Sequence, residues 1–488
     1  MNKLLLPFLS LLLLALPAGA RPDHPAEYQL VTVRVTYQAW NEYRPWQKAK
    51  PRNRTCLGTV MPGNRILVPA AYLDDATLIQ LEKFDRPPRI PARIVHCDNQ
   101  VGLAILTTDE PGFFDNLKPV DLAETADAEG EDFYCVAWKS SQLTFSSCRW
   151  SQVKVFKSSV PYFGYAGIYF ITDLKSGGRG EPVFSGDRMI GIARSQSGNR
   201  ITVIPAELIQ AYLHAVDLPE YPSFGRLGID YQYNRGKAQA AHFGQTGAPA
   251  GILIRSCFPN GSADGILLPD DILLELDGHA INSQGDYLHP RYGLMGLNLI
   301  ATDGHYAGDV LTAKVLRNKE ETTVEVPLKN TQPSAALIPA ARPDLPPPYL
   351  VAGGFVFREL DVPYLKAWGK DWENNIPPTL RILNEMRSES PTPEQQRLIV
   401  LTDVFPDDYN LGYHEMAQNI VKSVNGRSID SIREMEEAFQ HPEDGFHVIE
   451  FLPGYGTSKV ILDAAPFKDA TAAIMEKYQI PTRIRLNP

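Results

Sequence analysis

The segment Ser176-Gly177-Gly178-Arg179-Gly180-Glu181-Pro182 sets a serine among glycines just before the apolar pair Val183-Phe184. A serine in such a turn could be a nucleophile. That chemistry needs a histidine to take the hydroxyl proton and an aspartate to orient the histidine. His96 and His214 are available, but the fold would have to bring one of them to the serine. Cysteine is the other candidate nucleophile, and it needs the same base. The chain has five (Cys56, Cys97, Cys135, Cys148 and Cys257) and no C-x-x-C. An odd count leaves at least one thiol outside any disulfide pairing, and buried thiols are the simplest expectation. His96-Cys97 has no further ligand at metal spacing, so neither a metal nor a cofactor is called for.

The elements that must position these residues are strands. Residues from about 30 to 204 contain short β-branched and aromatic runs such as "YQLVTVRVTY", "RILVPAA", "GLAILTT", "GIYFITD" and "RITVIP". Turn residues punctuate them, which predicts an all-β sandwich or barrel. "PAELIQAYLHAV" follows, with Pro205 placed for a helix start. Leu208, Ile209, Tyr212 and Leu213 recur at helical spacing. This helix closes the first domain near residue 218.

The chain has 488 residues, room for roughly three domains. A net charge of −10 gives no footprint for nucleic acid. The N-terminus carries Lys3, the apolar "LLLPFLSLLLLALP" and a small-residue "AGA", which predicts a signal peptide over 1–20 cut after Ala20 and a periplasmic or secreted protein.

Downstream the sequence repeats itself. "ILIRSCFPNGSADGILLPDDILLELDGHAI" (252–281) matches "IVLTDVFPDDYNLGYHEMAQNIVKSVNGRSI" (399–429). Phe258-Pro259 pairs with Phe405-Pro406, and Ile272, Gly278 and Ile281 pair with Ile420, Gly426 and Ile429. The spacing is too long for a solenoid and predicts a duplicated domain. A Pro-rich segment at 331–347 reads as a semi-stiff linker between the copies.

Both copies resemble PDZ domains. In the first, Arg226-Leu227-Gly228-Ile229 resembles the family's carboxylate-binding loop, and Asp277-Gly278 the turn of its central hairpin. Such a loop presents backbone N–H groups to a peptide's C-terminus, and the peptide adds as a strand. In the second copy Gly353, Gly354, Phe355 and Val356 take the corresponding place. "SIDSIREMEEAF" predicts a helix capped by Asp430, with Ile432, Met435 and Phe439 on one face. In PDZ domains such a helix borders the groove, and the residues could equally be core. The insertion 366–397 could cover the second groove.

A β-barrel domain followed by two PDZ domains resembles the HtrA/Deg family of serine proteases, most closely the plant-type Deg proteins. The resemblance implies a trypsin-like double β-barrel over 21–218. It implies PDZ domains over 222–330 and 348–466, and a helix and irregular tail over 467–488. It also implies a trimer-based oligomer, for which the aromatic segment Tyr37–Lys50 could serve if it is not an ordinary surface loop. The family's catalytic letters are missing. Its I-L-T-A-A-H-V-V aligns with "ILVPAAYL", placing Ala71 at the histidine, or Tyr72 with a slip of one. Its D-I-A-L-L aligns with "GLAIL", placing Gly102 at the aspartate, while Asp98 reads as a turn residue. Its G-N-S-G-G-P-V, anchored on Pro182-Val183-Phe184, places Arg179 at the nucleophile. A rival alignment uses Ser176-Gly177-Gly178 as S-G-G and still lacks a base.

Three readings follow. The first is a protease fold that no longer cuts and binds C-termini or unfolded segments of exported proteins through its PDZ domains. It would act as a chaperone, an adaptor or a regulator of an active homologue. The second is an active endopeptidase with a rearranged centre at Ser176. The third is an envelope scaffold docking one fixed partner.

Overall fold

The computed structural model describes residues 25–125, 132–157, 163–330, 336–340, 345–385, 396–453 and 457–486. The signal segment expected at 1–20 lies outside these residues.

The predicted β-rich domain is a pair of seven-stranded sheets. The first runs Ile90–Pro91, Ala76–Lys83, Leu30–Tyr37, Arg52–Met61, Arg65–Pro69, Leu103–Thr107 and Arg93–Asp98 in spatial order. The second runs Pro182–Ser185, Phe133–Lys139, Gln142–Lys157, Gly164–Thr172, Arg200–Pro205, Arg188–Ser197 and Asp121–Leu122. Pro182–Ser185 also pairs with Arg188–Ser197, which closes this sheet on itself. Alternating inward residues fill separate cores. Val33, Ile66, Val68 and Leu106 lie in the first, and Ile168, Phe170, Val183 and Val203 in the second. The closing helix is Ala206–Asp217, with Pro205 just before it, and it buries Leu208, Ile209, Tyr212 and Leu213. The fold is thus mainly β, a trypsin-like double barrel followed by PDZ-type repeats.

The duplication is visible residue by residue. In the first repeat Ile229–Tyr233 pairs with Ile252–Cys257, with Ile229 opposite Cys257 and a register shift after Asp230. In the second Phe355–Glu359 pairs with Ile399–Val404, with Phe355 opposite Val404 and the same shift after Val356. The Phe258 N–H donates to the Gly228 carbonyl at 2.8 Å, and the Phe405 N–H to the Gly354 carbonyl at 2.8 Å. Asp277-Gly278 and Asn425-Gly426 both have positive φ, as the tight turn of each central hairpin requires.

Several local expectations change. The helix of the second repeat is Ile432–Ala438, and its cap is Ser431, whose side chain accepts from the Glu434 N–H. Asp430 lies one residue too early and instead accepts from the Gln396 N–H at 3.1 Å. Leu337 and Ile338, read as linker, are buried with Leu360, Leu365, Leu380 and Leu383 in a small core of their own. The described part of the insertion contributes Ile376, Leu380 and Leu383 to that core, and 386–395 lie outside the described residues. The tail after the helix Phe467–Lys477 is not irregular. Ile484–Arg485 forms a strand against Tyr349–Ala352.

The aromatic segment Tyr37–Lys50 is no ordinary surface loop either. It reaches out of the first barrel and packs on the second repeat within the same chain. Trp46 lies 5.5 Å from Tyr349 and 5.9 Å from Phe405 between ring centroids. Glu42 meets the fully buried Arg358, which also bonds Asp361, each at 2.5 Å. The first repeat is held to the closing helix Ala206–Asp217 instead. Glu207 accepts from Arg291 at 3.0 Å and from the Tyr292 hydroxyl at 2.9 Å.

Candidate active-site cleft and peptide groove

The three segments that sequence alignment singled out converge between the barrels. The strand Arg65–Pro69 ends in one 3-10 turn, Ala70–Tyr72, with Ala71 exposed. The Ala70 N–H donates to the Gly102 carbonyl at 2.9 Å, which lays Gly102 beside this turn. Asp98 is the last residue of the strand Arg93–Asp98, and its side chain caps the turn that follows. Its carboxylate accepts from the N–H groups of Gln100 and Val101 and from the Tyr221 hydroxyl. The Arg179 carbonyl accepts from the Leu57 N–H at 2.7 Å, pinning the serine-glycine turn against the first barrel. Gly180 has φ +90°, and a Cβ there would come within 2.9 Å of Pro69 Cδ, so only glycine allows this approach. The Tyr72 hydroxyl donates to the Gly178 carbonyl at 3.4 Å, tying the two turns together.

Neither alignment places a base at this point. Ala71 and Gly102 carry no titratable group. Ser176 Oγ accepts from the Arg179 guanidinium at 3.1 Å, a donor that cannot take its proton. His96 Nδ1 faces the Tyr212 hydroxyl at 3.0 Å, and its ring lies 4.1 Å from that of Tyr221. Burial lowers the His96 pKa, opposed by the Asp98 charge. The His214 ring sits beside Tyr306.

The sequence reading noted Glu181 only as a departure from glycine. In the structure it is the best-buried charged group of the turn, 3% exposed. Its Oε2 accepts from the Arg179 N–H at 2.6 Å, and the backbone N–H groups of Gly178 and Glu181 also point to it. Burial raises its pKa, and these N–H groups with the Arg179 charge hold it back. The signal was legible. A carboxylate two residues after the nucleophile position, in a turn rich in free N–H groups, has its acceptors and donors side by side.

The loop Arg226-Leu227-Gly228-Ile229 lies at the start of an edge strand. Ile229–Tyr233 ends its sheet, so one side of the strand is open to pairing. Gly228 has φ +67°, the left-handed region that glycine tolerates. Leu227 and Ile229 are core, and the Arg226 side chain is also buried. The loop therefore presents backbone, not the guanidinium.

Gly353 and Gly354 hold the equivalent place but not the equivalent surroundings. They form the turn of a hairpin between Tyr349–Ala352 and Phe355–Glu359. Phe355–Glu359 is paired on both sides, and Tyr349–Ala352 is in turn paired with Ile484–Arg485. Phe355 and Val356 are fully buried. Arg483, beside that last strand, donates to Glu436 of the bordering helix at 2.7 Å. The four residues expected at a second peptide groove thus stand in a sheet completed by the chain itself.

A family model described as a PDZ domain matches residues 338–484. The chain is 25% identical over 461 residues to "Protease Do-like 4, mitochondrial" of Arabidopsis thaliana, covering 93% of this chain and 84% of the relative. It is 21% identical over 470 residues to "Protease Do-like 2, chloroplastic" of the same plant, covering 94% and 75%. Among solved structures it is similar to "HtrA-type protease AlgW with decapeptide", with a TM-score of 0.47, 17% identity, and coverage of 63% of this chain and 96% of that one. A double barrel with a serine-glycine turn in its cleft, a PDZ domain match over 338–484 and relatives similar along nearly the whole length make this chain HtrA/Deg-like in fold and sequence.

Proposed function

We propose that this protein is an HtrA/Deg-like chain that holds polypeptide segments rather than cutting them. One observation carries the reading: the Glu181 carboxylate accepts the Arg179 N–H at 2.6 Å. In a serine protease the backbone N–H groups of the nucleophile turn stabilise the oxyanion that forms at the substrate carbonyl. Here a buried anion from the chain itself already occupies one of them, at the residue aligned with the nucleophile. An incoming oxyanion would be repelled by this carboxylate as well as deprived of that donor. Ala71 and Gly102, brought beside the same turn, supply neither base nor orienting acid. Losing triad members costs orders of magnitude in rate even when the rest of the site is intact.

The binding function falls to the first repeat. Its open edge strand Ile229–Tyr233 and the Gly228 loop suit an extended segment ending in a free carboxylate. We place the mature protein in the periplasm or outside the cell, as a chaperone, adaptor or regulator of an active homologue, within a trimer-based oligomer. The test is to treat the purified protein with a fluorophosphonate probe and incubate it with unfolded casein. We expect no adduct, intact casein and slower casein aggregation. A Ser176 adduct abolished by Ser176→Ala would establish the endopeptidase reading instead. A single tight partner in a pull-down, without affinity for unfolded chains, would favour the scaffold.

A further inference from the structure

Charge is unevenly placed along this chain. Its net charge is −10, yet four neighbouring strands of the second barrel contain no aspartate or glutamate. They are Gln142–Lys157, Gly164–Thr172, Arg200–Pro205 and Arg188–Ser197. Their inward residues, among them Ile168, Phe170, Ile201 and Val203, fill the barrel core. The alternate residues Gly167, Tyr169 and Ile171 therefore face outward. Lys154 lies opposite Gly167, and Ile171 sits between Arg149 on one side and Arg200 on the other. These three cations are exposed. Arg194, at the bulge of its strand, reaches over Phe156 and Tyr165 on the same face. None of the four cations forms an ion pair among the described residues. The carboxylates that flank these strands in sequence are placed elsewhere. Asp187 lies by Tyr134, Asp173 lines the cleft beside the serine-glycine turn, and Glu207 holds Arg291 and Tyr292.

A face of one sign attracts a partner of the other, and the aromatic rings narrow which kind. Arg200 lies over Tyr169 at 5.5 Å, and Arg194 over Phe156 at 5.8 Å and Tyr165 at 5.7 Å, from guanidinium carbon to ring centroid. Single-stranded nucleic acid binds by stacking its bases on open rings. Here the chain's own guanidinium groups already cover them. Stacking leaves guanidinium N–H edges free to fork onto a carboxylate. The spacing suits an extended chain. Gly167 and Ile171, which mark the Lys154 row and the Arg149–Arg200 row, are about 13 Å apart along their strand, so side chains at i and i+4 of an extended segment reach both rows. We propose that the outer face of these four strands docks an acidic stretch of extended polypeptide, with Arg149, Arg200, Lys154 and Arg194 as its donors. Val153, Val155 and Ala166, of the opposite parity, pack against the core of the first repeat. The docking face is therefore separate from that repeat's groove and does not depend on it.

The test uses the purified protein and two N-acetylated, C-amidated heptapeptides of serine and glycine. One carries two glutamates spaced i and i+4, and its twin carries glutamines there. The amide cap keeps both off the Gly228 loop, which suits a free terminal carboxylate. Calorimetry at low salt is expected to show the glutamate peptide binding about tenfold or more tightly than its twin. Raising salt from about 50 mM to about 200 mM should weaken that binding, because exposed charge pairs are screened. Arg149→Gln combined with Arg200→Gln should remove the difference between the peptides. Lys154→Gln alone should weaken the glutamate peptide about threefold. Melting curves check the folding of both variants, and Lys154→Gln carries the test if the double variant does not fold. A short oligothymidylate and vesicles of anionic phospholipid are measured in parallel. Either of them binding more tightly than the glutamate peptide would name a nucleic acid or a membrane surface and overturn the proposal. Equal affinity for the two peptides, no binding at all, or a glutamate peptide indifferent to the loss of these cations would overturn it as well.

Discussion

The two PDZ-type repeats share a bulge, a turn and a loop-closing hydrogen bond, yet the strand after the glycine loop is an edge strand in the first and an inner strand in the second. Ile229–Tyr233 has a partner on one side, whereas Phe355–Glu359 has one on each. The backbone frame is therefore not what makes a groove. What decides is whether the chain supplies the next strand itself. In the second repeat Tyr349–Ala352 does so through a two-glycine turn, and Ile484–Arg485 extends it. Position by position the side chains follow this difference. Gln232 of the first repeat is exposed, and its counterpart Arg358 is fully buried between Glu42 and Asp361.

That pair gives the largest expected contrast. Arg358→Ala leaves two carboxylates facing each other without their cation, and breaking a buried pair costs about 3–5 kcal/mol. Gln232→Ala should stay within about 0.5 kcal/mol, as for other surface changes. Urea unfolding of the two variants checks this. Equal losses would mean that the segment around Glu42 does not clamp the second repeat. The glycines come next. A Cβ at Gly354 would strike the Asn410 side chain and come within 2.9 Å of the Phe405 carbonyl, while at Gly228 the nearest atom is Phe258 Cβ at 3.4 Å. Gly354→Ala should therefore cost about 2–3 kcal/mol from strain and overpacking. Gly228→Ala should cost about 1–2 kcal/mol, from the left-handed backbone alone. Matching losses would erase the distinction between an open and a filled site.

The smallest effect is a pH slope. Burial raises the Glu42 pKa, with Arg358 opposing it. Between the ordinary glutamate range and that raised value the folded chain holds more protons than the unfolded one. Stability from this group therefore falls as pH rises through the window, by at most about 1.4 kcal/mol per pH unit. Melting curves from pH 4 upward should show wild type losing ground relative to Glu42→Gln. A parallel course would remove the burial argument.

Much of this was legible in the sequence, for reasons specific to each part. Alternating apolar runs and the recurring Phe-Pro and Gly-Ile positions gave the barrels and the repeats because they reflect local periodicity. The placement of Ala71, Gly102 and Arg179 rested on short motifs with rigid spacing. Features made by distant pairing were not legible. Tyr349 and Ile484 are far apart in sequence, and neither stretch announces that it completes a groove. Glu42 and Arg358 are farther apart still, and a charged residue in an aromatic loop reads as solvated until its partner is known. The apolar face of the helix Pro378–Glu385 in the insertion shows that it packs, without showing that its partners are Leu337, Ile338 and Leu360. Asp430 and Ser431 are both good caps, and only the register of the helix chooses between them.

The most direct measurement is amide hydrogen exchange, followed by mass spectrometry, on the purified protein with a saturating peptide that ends in a free carboxylate. The account predicts slowed exchange over Ile229–Tyr233, no change over Phe355–Glu359, and a peptide recovered at its original mass. Protection that appears at Phe355–Glu359 instead, or a shortened peptide, would contradict it.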